Sequence, residues 1–253
     1  MKRENVLQKA WQAVAEGRSE EAEGLFRSLL ERDGQDAEAW HGLGVSLYQQ
    51  GAREEAYEAL RRSVALAGDR MEAWHALAQA ADARGYTLEA LEAAQEALRL
   101  AREQGYPPAL VRGLEATVRG LQQGVARLLH AFGLGEDSPE ARERLRQAFD
   151  AYRRGVDALR AGRVREAVDA LQESLQHAPQ NPRAWSNLGV AHMMAGRRDD
   201  AEAAFRRALE LDPTYEPARF NLEKLLQGEG EAAPLLHGFT QVKRDAPKRD
   251  TLK

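Results

Sequence analysis

Cysteine is absent from all 253 residues. Its absence excludes disulfides, zinc–thiolate sites and a thiol nucleophile. Lysine is nearly missing from the interior: none occurs between Lys9 and Lys224, and arginine carries the positive charge there. No run of about 18 apolar residues exists, so no membrane-spanning helix and no membrane partner are expected. The opening residues MKRENVLQKAWQ lack the apolar core of a secretory signal. Cytoplasm is therefore the expected compartment. Neither charge dominates: 36 basic residues stand against 40 acidic ones, for a net charge of −4. A nucleic-acid binder needs a basic face, so that partner class is not expected. Nor is there a G-x-S-x-G elbow, a phosphate-binding loop or a dinucleotide fingerprint. Gly133-x-Gly135 is too short to count and follows no strand pattern. Neither an enzyme nor a cofactor is expected.

What is present is a period. Gly17, Gly51 and Gly85 step by 34, as do Gly162 and Gly196. Five residues after each stands an alanine: Ala22, Ala56, Ala90, Ala167 and Ala201. Trp40 and Trp74 are also 34 apart, and Trp185 holds the equivalent place later on. Within residues 182–215, Trp185, Leu188, Gly189 and His192 share one helical face. Gly196 breaks the pattern as a turn. Ala201, Phe205 and Ala208 form a second face, and Asp212-Pro213 ends it. Helices this short are marginal alone, so they must bury these faces on neighbours. Gly189 and Ala201 are expected to face each other across the pair. Trp185 and Phe205 would fill the wider spaces, each worth about 2–4 kcal/mol if fully buried.

The pattern W-x2-L-G-x2-Y, then A-x3-F, A and P resembles the tetratricopeptide repeat (TPR). Residues 37–70 carry Trp40, Leu43, Gly44, Leu47, Ala56 and Leu60; residues 71–104 carry Trp74, Leu77, Ala78, Ala90 and Ala97. Residues 148–181 carry Gly155, Ala167, Leu171 and Pro179. Residues 3–36 are weak in the first helix and regular in the second, with Ala22, Phe26 and Leu29. The resemblance implies an all-α, right-handed α-solenoid of helix–turn–helix repeats. Repeats 1–3 are expected over 3–104 and repeats 4–5 over 148–215. Between them, 105–147 reads as a helical insertion, either one long helix or a degenerate pair, with Gly120 and Gly124 as close-packing points. A helix start at Pro107-Pro108 and a cap at 137–140 fit it. A capping helix is expected over 216–227, with Phe220, Leu222, Leu225 and Leu226 on its apolar side. Residues 228–253 are rich in glycine, proline and charge and read as disordered.

The resemblance also implies a function: a protein–protein interaction scaffold whose concave groove binds a peptide or helix of a partner. Family groove slots, carried over, fall on Tyr152, Arg153, Val156, Arg160, Arg183, Asn187, Val190, Met193, Met194, Asn221 and Lys224. A second set is Glu38, His41, Val45, Tyr48, Gln49, Glu72, His75, Gln79 and Asp82. The first set is basic, which favours an acidic partner; the second is acidic and polar. Asn187 and Asn221, one period apart, resemble rungs of an asparagine ladder that grips a peptide backbone. TPR clamps for acidic chaperone termini carry lysine and asparagine where Leu7 and Trp11 stand here, so that subfamily is not expected. His41 and His75 hold one slot in adjacent repeats, which raises zinc or nickel. Ladder neighbours are usually too distant to share an ion, so a polar groove wall is the expected role and no metal is expected. The alternative function is self-association through the apolar island at residues 234–239.

Overall fold

The computed structural model describes residues 2–227, and the expected disordered tail at 228–253 lies outside them. Among the described residues there are twelve helices and no strand. The chain divides into two compact units, Met1–Val125 and Ala126–Lys253. In the first, α1 (Arg3–Ala15) pairs with α2 (Ser19–Leu30), α3 (Ala37–Gln49) with α4 (Arg53–Leu66), and α5 (Met71–Ala83) with α6 (Thr87–Glu103). In the second, α8 (Pro139–Arg160) pairs with α9 (Val164–His177) and α10 (Pro182–Met194) with α11 (Arg198–Leu211). The division falls within α7 (Pro108–Ala131), and α12 (Glu216–Leu226) follows the last pair. Each unit is an all-α stack of helix–turn–helix pairs.

The turns explain the periodic glycines. Gly17, Gly51, Gly85, Gly162 and Gly196 all have φ between 70 and 83°, a left-handed conformation that costs other residues about 1 kcal/mol or more. The Gly196 amide donates to the Met193 carbonyl at 3.0 Å, and the next amide, Arg197, reaches back to His192 at 2.9 Å. Gly17 and Arg18 repeat both bonds at 3.1 and 2.8 Å. Paired bonds of this kind satisfy carbonyls that a helix end leaves open. The five periodic alanines after these turns are fully buried.

Packing within a pair follows one rule. A Cβ on Gly189 would lie 2.6–2.9 Å from the Phe205 ring, so the bare backbone of Gly189 makes room for that ring. Gly155 stands in the same relation to Leu171 and Gly44 to Leu60. The large side chain sits one turn beyond the alanine, and only a bare backbone leaves room for it. Serines add a second recurring tie: Ser63 Oγ donates to the Ala37 carbonyl and Ser174 Oγ to that of Ala148, both at 2.8 Å.

The tryptophans are half-buried rather than enclosed. Three of the indole N–H groups have a matching polar task. Trp40 donates to Gly34, Trp74 to Gly68 and Trp185 to Pro179, at 2.9, 2.8 and 2.8 Å. In every case the acceptor is a carbonyl six residues back, in the link from the preceding helix. The ring thus ties one pair to the next while its apolar face packs.

Helix α7 is a single helix of 24 residues. Its Val111 and Leu114 join Met71, Ala97 and Leu100 in one apolar cluster. Gly120 faces open space and is not a close-packing point. Ser138 caps α8, its Oγ accepting from the Ala141 amide at 3.1 Å. Helix α8 then runs unbroken through residues 147–148, where the repeat period alone puts a boundary. No proline or turn glycine interrupts it there, and Ala141, Leu145 and Ala148 keep one buried stripe going. In α12 the buried side is Pro217, Ala218, Asn221 and Leu225. Phe220 and Leu226, expected on the apolar side, are 39% and 52% exposed. They lie on other faces of the helical wheel from Asn221 and Leu225.

Candidate functional site

The first helices of the second unit, α8, α10 and α12, hold the basic set of candidate residues. Asn181 caps α10: its Oδ1 accepts from the Arg183 and Ala184 amides at 3.0 and 3.4 Å. Pro182 then takes the first helical position, where its missing N–H costs nothing. Arg183 is thereby fixed one turn ahead of Asn187. Asn187 Nδ2 donates to Tyr152 Oη at 3.0 Å, joining α10 to α8. Phe132 packs edge-on against Tyr152, with ring centroids 6.1 Å apart.

These residues separate by accessibility. Tyr152, Val156, Asn187, Val190 and Asn221 are enclosed, the two asparagines at 1% exposure each. Burial pushes the Tyr152 phenol up to about 12, against the weaker pull of Arg183, Asn187 and Arg160. Tyr215 rises for the same main reason. Arg153, Arg183 and Lys224 are half-exposed and Arg160 is exposed. Met194 is 42% exposed. Arg153 and Arg160 each have a loose helical partner, Asp150 at 3.9 Å and Asp157 at 3.6 Å. Lys224 Nζ lies 5.9 Å from the centre of the Phe220 ring, within cation–π range.

Two features here depart from what the sequence alone suggests. The asparagine donor expected to grip a peptide backbone is engaged inside the protein by Tyr152. And Phe220, read as a core-side residue of a cap, is an accessible ring beside a cation. A signal was available for it: Phe220 stands one period after Ser186 and two after Tyr152, at a groove slot.

The secondary set in the first unit is less open to a ligand. Glu38 is bridged by Arg3 at 3.4 Å and Arg70 at 3.6 Å. Glu72 Oε1 accepts from Tyr106 Oη at 2.5 Å. Glu38 and Glu72 are thus already answered by partners on the same chain. His41 is buried against Trp11, ring centroids 5.2 Å apart. Burial holds its imidazole down to about 4, helped by the Arg70 cation and opposed by Glu72 and Glu38. Burial also lowers His75. The His75 Nε2 and Gln79 Nε2 atoms are 3.1 Å apart. Gln49 Oε1 accepts from Ser19 Oγ at 2.8 Å, and Tyr48 is exposed. Among the described residues no group of three or more histidine, aspartate or glutamate side chains is placed to hold a metal ion. None of the described helices is long and apolar enough to cross a membrane.

Comparison with known proteins gives the same repeat. Two tetratricopeptide-repeat family profiles match residues 13–81 and 152–216, together more than half of the chain. The peroxisomal targeting signal receptor of Komagataella phaffii is 33% identical over 81 residues, 32% of this chain and 14% of that receptor. The match thus spans about one seventh of that relative's length. Among solved structures, the type III secretion translocator chaperone SycD of Yersinia enterocolitica is 17% identical, with a TM-score of 0.45, over 48% of this chain and 83% of that one. The TPR2AB domain of yeast Sti1 in complex with pHSP90 is 18% identical, with a TM-score of 0.41, over 90% of this chain and 84% of that one. With the profile matches, the periodic turn glycines and the helix pairs in agreement, this chain belongs to the tetratricopeptide repeat family.

Proposed function

We propose that the second unit is a docking module for another protein, and that the first-helix row α8, α10 and α12 receives an acidic peptide or helix. Repeats of this family support protein–protein interaction, and this row has the chemistry to choose a partner. The observation that carries the reading is the accessible Phe220 ring with Lys224 beside it. Met194, exposed on the neighbouring helix, and Arg183, Arg153 and Arg160 extend the same mixture of apolar and cationic groups. An acidic segment with spaced apolar residues matches it. The cations would mainly speed encounter and reject basic competitors, while the apolar contacts hold the ligand. Tyr152, Asn187 and Asn221 act beneath, as the polar support that positions the row. The first unit is a poorer candidate for a charged peptide, because Glu38 and Glu72 are already paired.

A peptide-display selection on the immobilised chain tests this. Retained peptides should be enriched in aspartate and glutamate flanking apolar positions. The double variant Arg183→Glu/Lys224→Glu should retain them at least tenfold less. Peptides without acidic enrichment, or equal retention by the variant, would remove the assignment.

A further inference from the structure

We propose that residues 228–239 fold back and place the island Pro234-Leu235-Leu236-His237-Gly238-Phe239 on the α10–α12 face, against Phe220 and Met194. The inference rests on the docking role of that face, and names the ligand that holds it when no partner is bound.

Three observations select this occupant. The first is position. Helix α12, which carries Phe220 and Lys224, ends at Leu226, so the segment is tethered less than two turns past Phe220. The second is reach. Pro234 lies seven residues past Gln227, which allows about 23 Å of extended chain. Packed helices stand roughly 8–10 Å apart, so a return across α12 to α10 is well within that span. The third is chemistry. The island holds the densest cluster of large apolar residues in 228–253, two leucines and a phenylalanine, and the intervening stretch brings Glu229 and Glu231. Acidic residues ahead of spaced apolar ones are what a row with Arg183, Lys224, Phe220 and Met194 should accept.

The tether turns a weak motif into an effective one. A short flexible connection gives an effective concentration of roughly 1 mM. An island that binds as a free peptide with a Kd of about 100 µM would then fill its own face about nine-tenths of the time. A partner competing for the face would see its apparent affinity reduced by about tenfold. The segment therefore acts as a built-in competitor that sets a threshold for partner binding.

The full-length chain allows a direct test, because it contains no cysteine and only four methionines: Met1, Met71, Met193 and Met194. His237→Cys provides a single site for a nitroxide, and ε-13C-methionine gives four methyl signals. The expected result is strong paramagnetic broadening of the Met194 methyl. Phe220→Glu in the same labelled chain should restore the Met194 signal. The proposal falls if Met194 is not broadened, or if broadening survives Phe220→Glu. It also falls if equal broadening appears when nitroxide and 13C are carried on different, mixed chains, since a second copy is then the occupant. Because the readout needs no partner, its failure leaves the acidic-peptide selection unaffected. A failed selection with Met194 broadened instead leaves the chain's own segment as ligand of the face.

Discussion

Asn187 Nδ2 donates to Tyr152 Oη at 3.0 Å, one buried amide and one buried phenol joining helices that start 43 residues apart. The bond lies beneath the accessible cations of the candidate site. It ties α10 to α8 and so fixes the spacing of the side chains above it. An enclosed polar pair of this kind costs more to break than to form, because the surviving partner is left desolvated.

Removing the acceptor should therefore destabilise the second unit without unfolding it. Tyr152→Phe is expected to cost about 1–2 kcal/mol. Asn187→Ala should cost as much or more, having lost packing as well. A double-mutant cycle measured by chemical denaturation should give a coupling of about 0.5–1.5 kcal/mol. Additive single effects would show that the two groups do not act together.

Two glycine-to-alanine substitutions should have opposite signs. In Gly189→Ala the new methyl meets the Phe205 ring at 2.6–2.9 Å, and overpacking of this kind costs about 1–3 kcal/mol. Gly24, inside α2, has nothing within 4 Å of an added Cβ. Gly24→Ala should stabilise by roughly 0.5–1 kcal/mol, by reducing the freedom of the unfolded chain. Thermal melts of the two variants on either side of the parent would bear this out; a shift in the same direction would contradict the packing described.

Acid should weaken the first unit in a window set by His41. Its imidazole is held down to about 4, from an ordinary 6.5, mainly by burial. Below pH 6.5 the unfolded chain takes up a proton that the folded chain refuses, so stability falls as pH drops towards 4. From pH 7.5 to pH 5 the loss from this residue is about 2 kcal/mol. His41→Gln should flatten that part of the curve. Some slope should remain, because His75 and His192 are lowered by burial too. Parallel curves for parent and variant in a pH series of melts would rule out this role.

Asp36 titrates lower and answers to a different partner. Its Oδ1 caps α3, accepting from the Glu38 and Ala39 amides at 3.1 Å, while Arg3 clamps both oxygens at 2.6 and 2.8 Å. The Arg3 hydrogen bond is the main reason its carboxyl is held below its ordinary 3.8. Its contribution is thus present above about pH 4 and lost as pH falls further. Asp36→Ala should cost about 1–2 kcal/mol at neutral pH, having lost cap and clamp together. Asp36→Asn keeps the cap oxygen and should cost less. Equal losses in the two variants would mean the cap contributes nothing.

Much of this was legible in the residues. The turn glycines declare themselves by period, because a left-handed turn between two helices excludes most side chains. The alanines five residues later do so because two backbones approach there. The cap at 137–140 and the helix start at Pro107-Pro108 are local chemistry and appear as expected. The site was only partly legible. Slot positions bring Tyr152, Asn187 and Asn221 to the right helices, yet give no hint that Asn187 is engaged by Tyr152. Glu38 and Glu72 read as acidic groove residues because their partners lie far off in sequence: Arg3 and Arg70 for the first, Tyr106 for the second. Phe220 was taken for a core residue because one short helix does not reveal which side its neighbours cover.

The period by itself determined that this chain is an all-α stack of TPR pairs, since short helices with one bare and one bulky face have no other way to leave water. Only the tertiary structure decided that Gly189 faces Phe205, that α8 runs on through a repeat boundary, and that Phe220 is open while Asn187 is closed. Those outcomes depend on which surfaces meet. Helical spacing assigns a residue to a face; burial and pairing come from the helix that covers that face.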